Sequence, residues 1–243
     1  QTIDRLARLV RQRAAELGWA SLLVPEDLSG GSVSGNGVAD LALVAEQVGH
    51  TVAPGPLHPV STVLAGLVEA PEGHGETIEA LVSGELVASW AVYEPGRPFD
   101  PKSAVTTATK TGSGYRIDGV KDRVEAGDRA GVLLVTATCD GQLRQFLVPA
   151  DSAGVTVTPQ RTVDMVKRYA RVEFSGVEIG EDAAVGTAAQ TAAVIERQRQ
   201  IALVLQCAEL VGILDTVLGF TTQWLNDRHS FGRPLASYQA LKH

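Results

Sequence analysis

Arg228, Phe231 and Gln239 are the residues of this sequence whose types and spacing most readily do chemistry. They lie in the segment Arg228-His-Ser-Phe-Gly-Arg-Pro-Leu-Ala-Ser-Tyr-Gln-Ala-Leu-Lys-His243. A helical apolar pattern runs into Arg228, is interrupted at Gly232-Arg233-Pro234 and restarts at Ser237. A guanidinium thus stands at a helix end, with an aromatic ring just beyond it and a side-chain amide opening the next helix. A planar group with several donors can fork onto two phosphate oxygens, which an ammonium cannot do. A phosphate-bearing ligand is therefore the chemistry this spacing suits. The bland alternative is a helix hairpin with an incidental surface Arg.

Other chemical motifs fail on inspection. Gly35-Asn-Gly37 and Gly112-Ser-Gly114 do not complete a dinucleotide fingerprint, and neither sits between a buried strand and a helix. Gly31-Ser-Val-Ser-Gly35 has Val where a nucleophile elbow needs Ser. His50, His58, His74, His229 and His243 show no metal-ligand spacing, so no metal site is expected. Cys139 and Cys207 also lack such spacing and read as small buried apolar residues. Two Cys in a chain this long suit a reducing cytosol, so a cytoplasmic location is expected. A formal net charge of −7 without a Lys/Arg run gives nucleic-acid binding no electrostatic support. No signal-peptide pattern opens the sequence, no apolar stretch of bilayer-spanning length is free of charge, and no membrane partner is expected.

The elements that must position the Arg228 segment fall into three textures, together an α+β chain. Residues 1–85 read as an N-terminal helical domain. Its first helix carries Ile3, Leu6, Leu9, Val10 and Leu17 and ends at Gly18. After a Gly/Ser loop, a second helix begins at Asp40 or a neighbour and stops at Gly49; further helices cover 58–68 and 76–82. Residues 86–186 read as a middle antiparallel β-domain, with strands near 86–93, 104–110, 115–118, 131–137, 143–148, 154–158 and 169–174. Turns at Asp118-Gly119 and Asp140-Gly141 separate some of them. Residues 187–243 start a C-terminal long-helix bundle. Its helix from 188 to 226 would be roughly 55–60 Å long at 1.5 Å per residue, a length typical of bundles. A start at Gln1 and a stop inside a helical pattern at His243 are what a portion of a longer protein would give.

The order of these elements, with several local motifs, resembles the acyl-CoA dehydrogenase family along the whole chain. The motifs are Arg228-x-x-Phe-Gly-x-Pro-Leu with Gln239, the stretch Leu17–Glu26 with Gly30-Gly31, Glu46-Gln-Val-Gly49 with Pro54-Gly-Pro56, Tyr93-Glu94-Pro95, and Ile117-Asp-Gly-Val-Lys121. The resemblance implies a cofactor, FAD. It also implies that Arg228, Phe231 and Gln239 reach across a subunit interface to the pyrophosphate and adenosine of a neighbour's FAD.

The departures from the family pattern carry as much information. Where the resemblance expects Thr-Glu-Pro-x-x-Gly-Ser-Asp against flavin and acyl-CoA, this chain has Tyr93-Glu94-Pro95-Gly96-Arg97-Pro98-Phe99-Asp100. Pro98 lacks a backbone donor and Phe99 takes up volume. Where it expects Trp-Ile-Thr or Trp-Ile-Ser, the chain has Arg123-Val124-Glu125. In a regular strand Arg123 and Glu125 share one face, so they are expected to pair and fill the isoalloxazine space. A carboxylate about 4 Å from an anionic reduced flavin costs on the order of 4 kcal/mol at an effective dielectric of 20. One family location for the catalytic Glu, counted back from Gly212, falls on Leu203 and Ala202; the other would lie past His243. Glu196 and Glu209 read as solvated or helix-pairing residues, so no catalytic residue is assigned.

The resulting expectation is one subunit of an FAD-dependent acyl-CoA dehydrogenase that desaturates the α,β bond of a CoA thioester. It would complete the flavin site of a second acyl-CoA dehydrogenase subunit, as in the heterotetrameric bacterial enzymes acting on steroid side chains. An acyl-CoA would be the substrate and an electron-transfer flavoprotein the acceptor. The alternatives are a self-sufficient homotetramer with an atypical flavin pocket and a non-catalytic scaffold subunit.

Overall fold

Four helices, a mixed sheet and one very long helix follow one another in the computed structural model, which describes residues 2–243. The helices are α1 (Thr2–Glu16), α2 (Gly37–Thr51), α3 (Leu57–Leu67), α4 (Gly75–Val82), α5 (Ala188–Asp227) and α6 (Gln239–Lys242). The strands are β1 (Ala88–Ala91), β2 (Thr107–Lys110), β3 (Gly114–Glu125), β4 (Val132–Cys139), β5 (Gln142–Pro149), β6 (Val155–Gln160), β7 (Tyr169–Gly180), β8 (Ala184–Val185), β9 (His229–Ser230) and β10 (Arg233–Pro234). The side chain of Ile3 lies outside the described residues.

The main sheet runs β6-β7-β3-β2-β4-β5-β8, and β1 also pairs with β4. It is mixed rather than antiparallel, because β1 and β2 both lie parallel to β4. The composition could not distinguish the two, since strand direction depends on connections rather than on residue type. β4 is the central strand, and its alternating side chains feed two cores. Val132 and Leu134 join Val63, Leu64, Leu67, Ile78 and Leu81 under the helices. Leu133, Val135 and Ala137 join Ile117, Phe146, Val172 and Phe174 on the other face.

Two expected turns differ. Asp140-Gly141 closes the β4–β5 hairpin, but Asp118-Gly119 lies inside β3, at a bulge opposite β7. An Asp-Gly pair marks a turn only where chain reversal is possible; here Gly119 lets the backbone of Thr106 approach, where a Cβ would come within 2.8 Å. Gly49 does not stop α2. A Cβ at Gly49 would meet the carbonyl oxygen of Glu209 at 2.0 Å, and one at Gly212 would meet that of Glu46 at 2.0 Å. The two glycines are the points where α2 and α5 cross backbone to backbone. α2 itself starts at Gly37, with Asn36 accepting from Ala39 N at 3.2 Å as its cap. Asp40 instead takes the hydroxyl of Ser32 and the amides of Val33 and Ser34, which hold its pKa near 2.

α5 spans 40 residues. One side packs on α2 and α3 through Ile201, Leu205, Leu41, Ala45 and Ala65. The remainder leaves Leu203, Leu210, Leu214, Leu218, Phe220 and Trp224 exposed. By length and apolar composition α5 could cross a membrane, but Glu209 and Asp215 interrupt it. Cys139 is buried as expected, whereas Cys207 sits on the open side of α5 and is exposed.

Candidate functional site

A cleft of about 530 Å³ opens between α3, the edge of the sheet and α5. Its walls include Trp90, Tyr93, Phe99 and Tyr169, and its floor carries His58, Glu125, Lys167 and Glu209. These four ionisable residues form a continuous chain of alternating charge. His58 Nδ1 lies 3.3 Å from a carboxylate oxygen of Glu125, Lys167 Nζ lies 3.5 Å from the other, and Lys167 Nζ donates to Glu209 at 2.7 Å. Four separate elements supply them: α3, β3, the loop before β7, and α5.

The state of His58 follows from its partners. Nε2 faces the carbonyl of Ala202 at 3.1 Å, and Nδ1 faces an ionised carboxylate. Both partners accept only, so both ring nitrogens must carry protons for either contact to be a hydrogen bond. Burial opposes the charged ring, yet the hydrogen bond and charge of Glu125, helped by Ala202, hold its pKa above the ordinary 6.5. Burial likewise pushes Glu125 up, and His58 and Lys167 more than reverse it, so its pKa is lowered. Burial works against the Lys167 ammonium, and Glu125 and Glu209 raise it in spite of that. The four charges sum to zero, which is how a dry wall tolerates them.

Arg123 does not pair with Glu125. It adopts φ +49° within a register shift between Lys121 and Val124, so the strand's alternation is broken there. Its guanidinium lies over the ring of Tyr93 at 5.0 Å and near Asp122 at 3.8 Å, on the rim of the cleft. Tyr93 in turn packs against Phe99 with ring centroids 4.6 Å apart. Glu196 is the helix-pairing residue expected, bonded to Arg199 at 3.0 Å. Glu209 is neither solvated nor paired along its helix; it faces Lys167, and no periodicity on α5 could show that.

Behind the wall, Lys121 and Glu94 form a buried ion pair at 2.9 Å. Glu94 also accepts from the amides of Val105 and Thr106 and from the Thr106 hydroxyl. Burial disfavours the carboxylate, but these donors and Lys121 bring its pKa down to about 2. The pair ties the Tyr93-Glu94-Pro95 stretch to the end of Ile117–Lys121.

At the far end of α5, Arg228 is the first residue after the helix, and its amide still donates to Trp224 O at 2.9 Å. β9 and β10 form a two-stranded hairpin with Phe231-Gly232 at its tip. Arg228 is exposed and, among the described residues, its guanidinium has no partner. Phe231 is 96% exposed. Gln239 opens α6 and is also exposed. The three lie on one projecting arm, well away from the cleft along α5.

No family model matches the chain. Acyl-CoA dehydrogenase FadE12 of Mycobacterium tuberculosis is 27% identical over 241 residues, covering 95% of this chain and 61% of that protein. The structure of the ChsE4–ChsE5 complex from Mycobacterium tuberculosis aligns with a TM-score of 0.86 at 26% identity, over 98% of this chain and 63% of that one. A structure described as a Tcur3481–Tcur3483 steroid ACAD variant aligns with a TM-score of 0.85 at 27% identity, over 98% and 63%. The chain is thus similar along its length to acyl-CoA dehydrogenases in sequence and shares their fold. It spans 61% of the FadE12 length.

Within this acyl-CoA dehydrogenase fold, Tyr93, Phe99, Arg123 and Glu125 all border the cleft, as the resemblance requires of the isoalloxazine stretches. Leu203 and Ala202 border it too, so one family location of the catalytic Glu is hydrocarbon. The residues do not fit an isoalloxazine. A phenol and an already paired carboxylate replace the small hydroxyls, and a half-exposed guanidinium replaces the Trp platform. The obstacle differs from the one expected, because His58 and Lys167 compensate the charge of Glu125. The difficulty is that an ionised carboxylate, already paired with His58 and Lys167, offers a flavin ring no hydrogen-bond donor where the family has a hydroxyl. Nor do Arg123 and Glu125 fill the space together, since the cleft stays open beside them. Sequence reasoning gave His58 and Glu209 no part in a site and passed over Lys167; their spacing of 109 and 42 positions in the chain leaves no local signal.

Proposed function

We propose that this chain is one subunit of a heteromeric, FAD-dependent acyl-CoA dehydrogenase. It completes the flavin site of an intact partner subunit and holds no flavin in its own cleft. The observation that carries this reading is an asymmetry. The arm presents Arg228, whose guanidinium has no partner among the described residues, and a 96% exposed Phe231, while the cleft's Glu125 is paired with His58 and Lys167. Arg228 would hold the pyrophosphate of the partner's FAD, Phe231 would pack beside it, and Gln239 would bond the adenosine side. When bound, FAD takes up the hydride in the α,β-desaturation of a CoA thioester. The likeness to the ChsE4–ChsE5 complex supports a two-component assembly, and that to the Tcur3481–Tcur3483 steroid ACAD supports a steroid-derived thioester as substrate. An electron-transfer flavoprotein as acceptor and a cytoplasmic location complete the proposal.

Co-production with the partner and measurement of FAD per complex tests it. One flavin for each pair of unlike subunits is expected. A second reading, a self-sufficient homotetramer, is favoured by the 530 Å³ cleft, which is roomy enough for a ligand. Purified alone, the chain would then be yellow, with one flavin per subunit.

A further inference from the structure

We propose that Arg233 and Tyr238 are positioning residues that latch the arm and fix the direction in which Arg228 and Phe231 point. This rests on the reading of Arg228 as a contact to a partner's FAD. The arm carries two arginines, and they differ in what they touch. The guanidinium of Arg233 lies 3.9 Å from the centre of the Tyr238 ring, a cation–π contact. The Tyr238 hydroxyl donates to Ser230 O at 2.9 Å, reaching back across the hairpin to the strand opposite Arg233. Leu235 N donates to Arg228 O at 2.8 Å, and the Ser237 hydroxyl donates to Pro234 O at 2.7 Å. Tyr238 thus clamps both strands, one through its ring and one through its hydroxyl. Arg228, by contrast, has its backbone held and its guanidinium left available.

A hairpin with two residues in each strand cannot hold its shape through its own ladder. The tip adds strain. Phe231 has φ +52°, a region that a bulky side chain avoids, and its side chain is 96% exposed. Contacts outside the ladder must hold this geometry, and among them the Arg233–Tyr238–Ser230 clamp is the one made by side chains to both strands. The clamp fixes the hairpin against the turn that leads into α6. It therefore sets Arg228, Phe231 and Gln239 relative to one another.

The test uses the complex with its partner subunit and two readouts. One is hydrogen exchange of residues 228–238 in the flavin-free complex; the other is the FAD dissociation constant by flavin fluorescence. Arg233→Ala should speed exchange across the hairpin and weaken FAD binding about three- to tenfold, the scale of one cation–π contact. Tyr238→Phe, which keeps the ring but loses the hydroxyl bond, should give a smaller change in both, and Arg233→Lys should recover part of the loss. Unchanged exchange in Arg233→Ala and Tyr238→Phe overturns the latch. So does weaker FAD binding in Arg233→Ala without faster exchange, because Arg233 would then touch the ligand itself. If Arg228→Ala leaves FAD binding untouched, the trans reading of the arm fails instead.

Discussion

His58 holds its two protons because both of its neighbours demand one, and this makes the cleft sensitive to pH in a defined direction. A His whose pKa is raised on folding contributes stability that is complete below its unfolded value and is lost as pH rises through the folded value. Thermal stability should therefore decline as pH is raised beyond about 6.5. In His58→Gln, thermal melts should show a flatter slope over that window, and an unchanged slope would remove His58 from the account. Glu125 works at the opposite end, since a lowered carboxylate pKa gives stability that is lost as pH falls below its ordinary 4.5. On the arm, Arg228→Ala in the complex should weaken FAD retention by about ten- to a hundredfold, the value of a two-pronged charged contact. Arg228→Lys should recover only part, because a point charge cannot fork. That Arg228, Phe231 and Gln239 share one arm was legible in the sequence because they sit within one short segment. The cleft chain was not, because α3, β3, the loop before β7 and α5 each contribute a single residue to it.

At the scale of elements, periodicity read the helices and strands well where a single face is buried. The 188–226 helix and its 3.6-residue pattern are the plainest case, since α5 covers 188–227. It failed where a glycine does something other than end an element. Gly49 and Gly212 let α2 and α5 meet at backbone distance, and nothing local distinguishes such a glycine from a helix stop. A methyl at either position would need the facing carbonyl to move by about an ångström or more, so Gly212→Ala should destabilise the fold by about 1–3 kcal/mol, as overpacking does. Denaturant melts would check it, and a neutral result would mean that the helices can part freely. The sheet holds a sharper dependence. Glu94 and Lys121 are buried together, and Lys121→Met would leave a carboxylate without its cation. Removing one partner of a buried pair costs about 3–5 kcal/mol, a large share of a typical fold's stability, and denaturant melts of this variant should show a loss of that size.

At the scale of the whole molecule, the long helix α5 is only half covered. Leu203, Leu210, Leu214, Leu218, Phe220 and Trp224 face outward along α5, more apolar surface than a free-standing domain usually shows. Produced without a partner, the chain should aggregate or misassemble and carry little FAD; a soluble, flavin-saturated homo-oligomer would favour the homotetramer reading. The same helix has a mechanical consequence. It is unbroken from the charge chain at Glu209, past the crossing at Gly212, to the arm at Arg228. From that crossing to Arg228 the axis runs roughly 24 Å at 1.5 Å per residue. α5 is therefore a lever with its fulcrum at the two glycines. A tilt of about 5° there would sweep the guanidinium sideways by roughly 2 Å over that length, more than the tolerance of a hydrogen bond. The charge chain at Glu209 and the arm at Arg228 are joined by one helix.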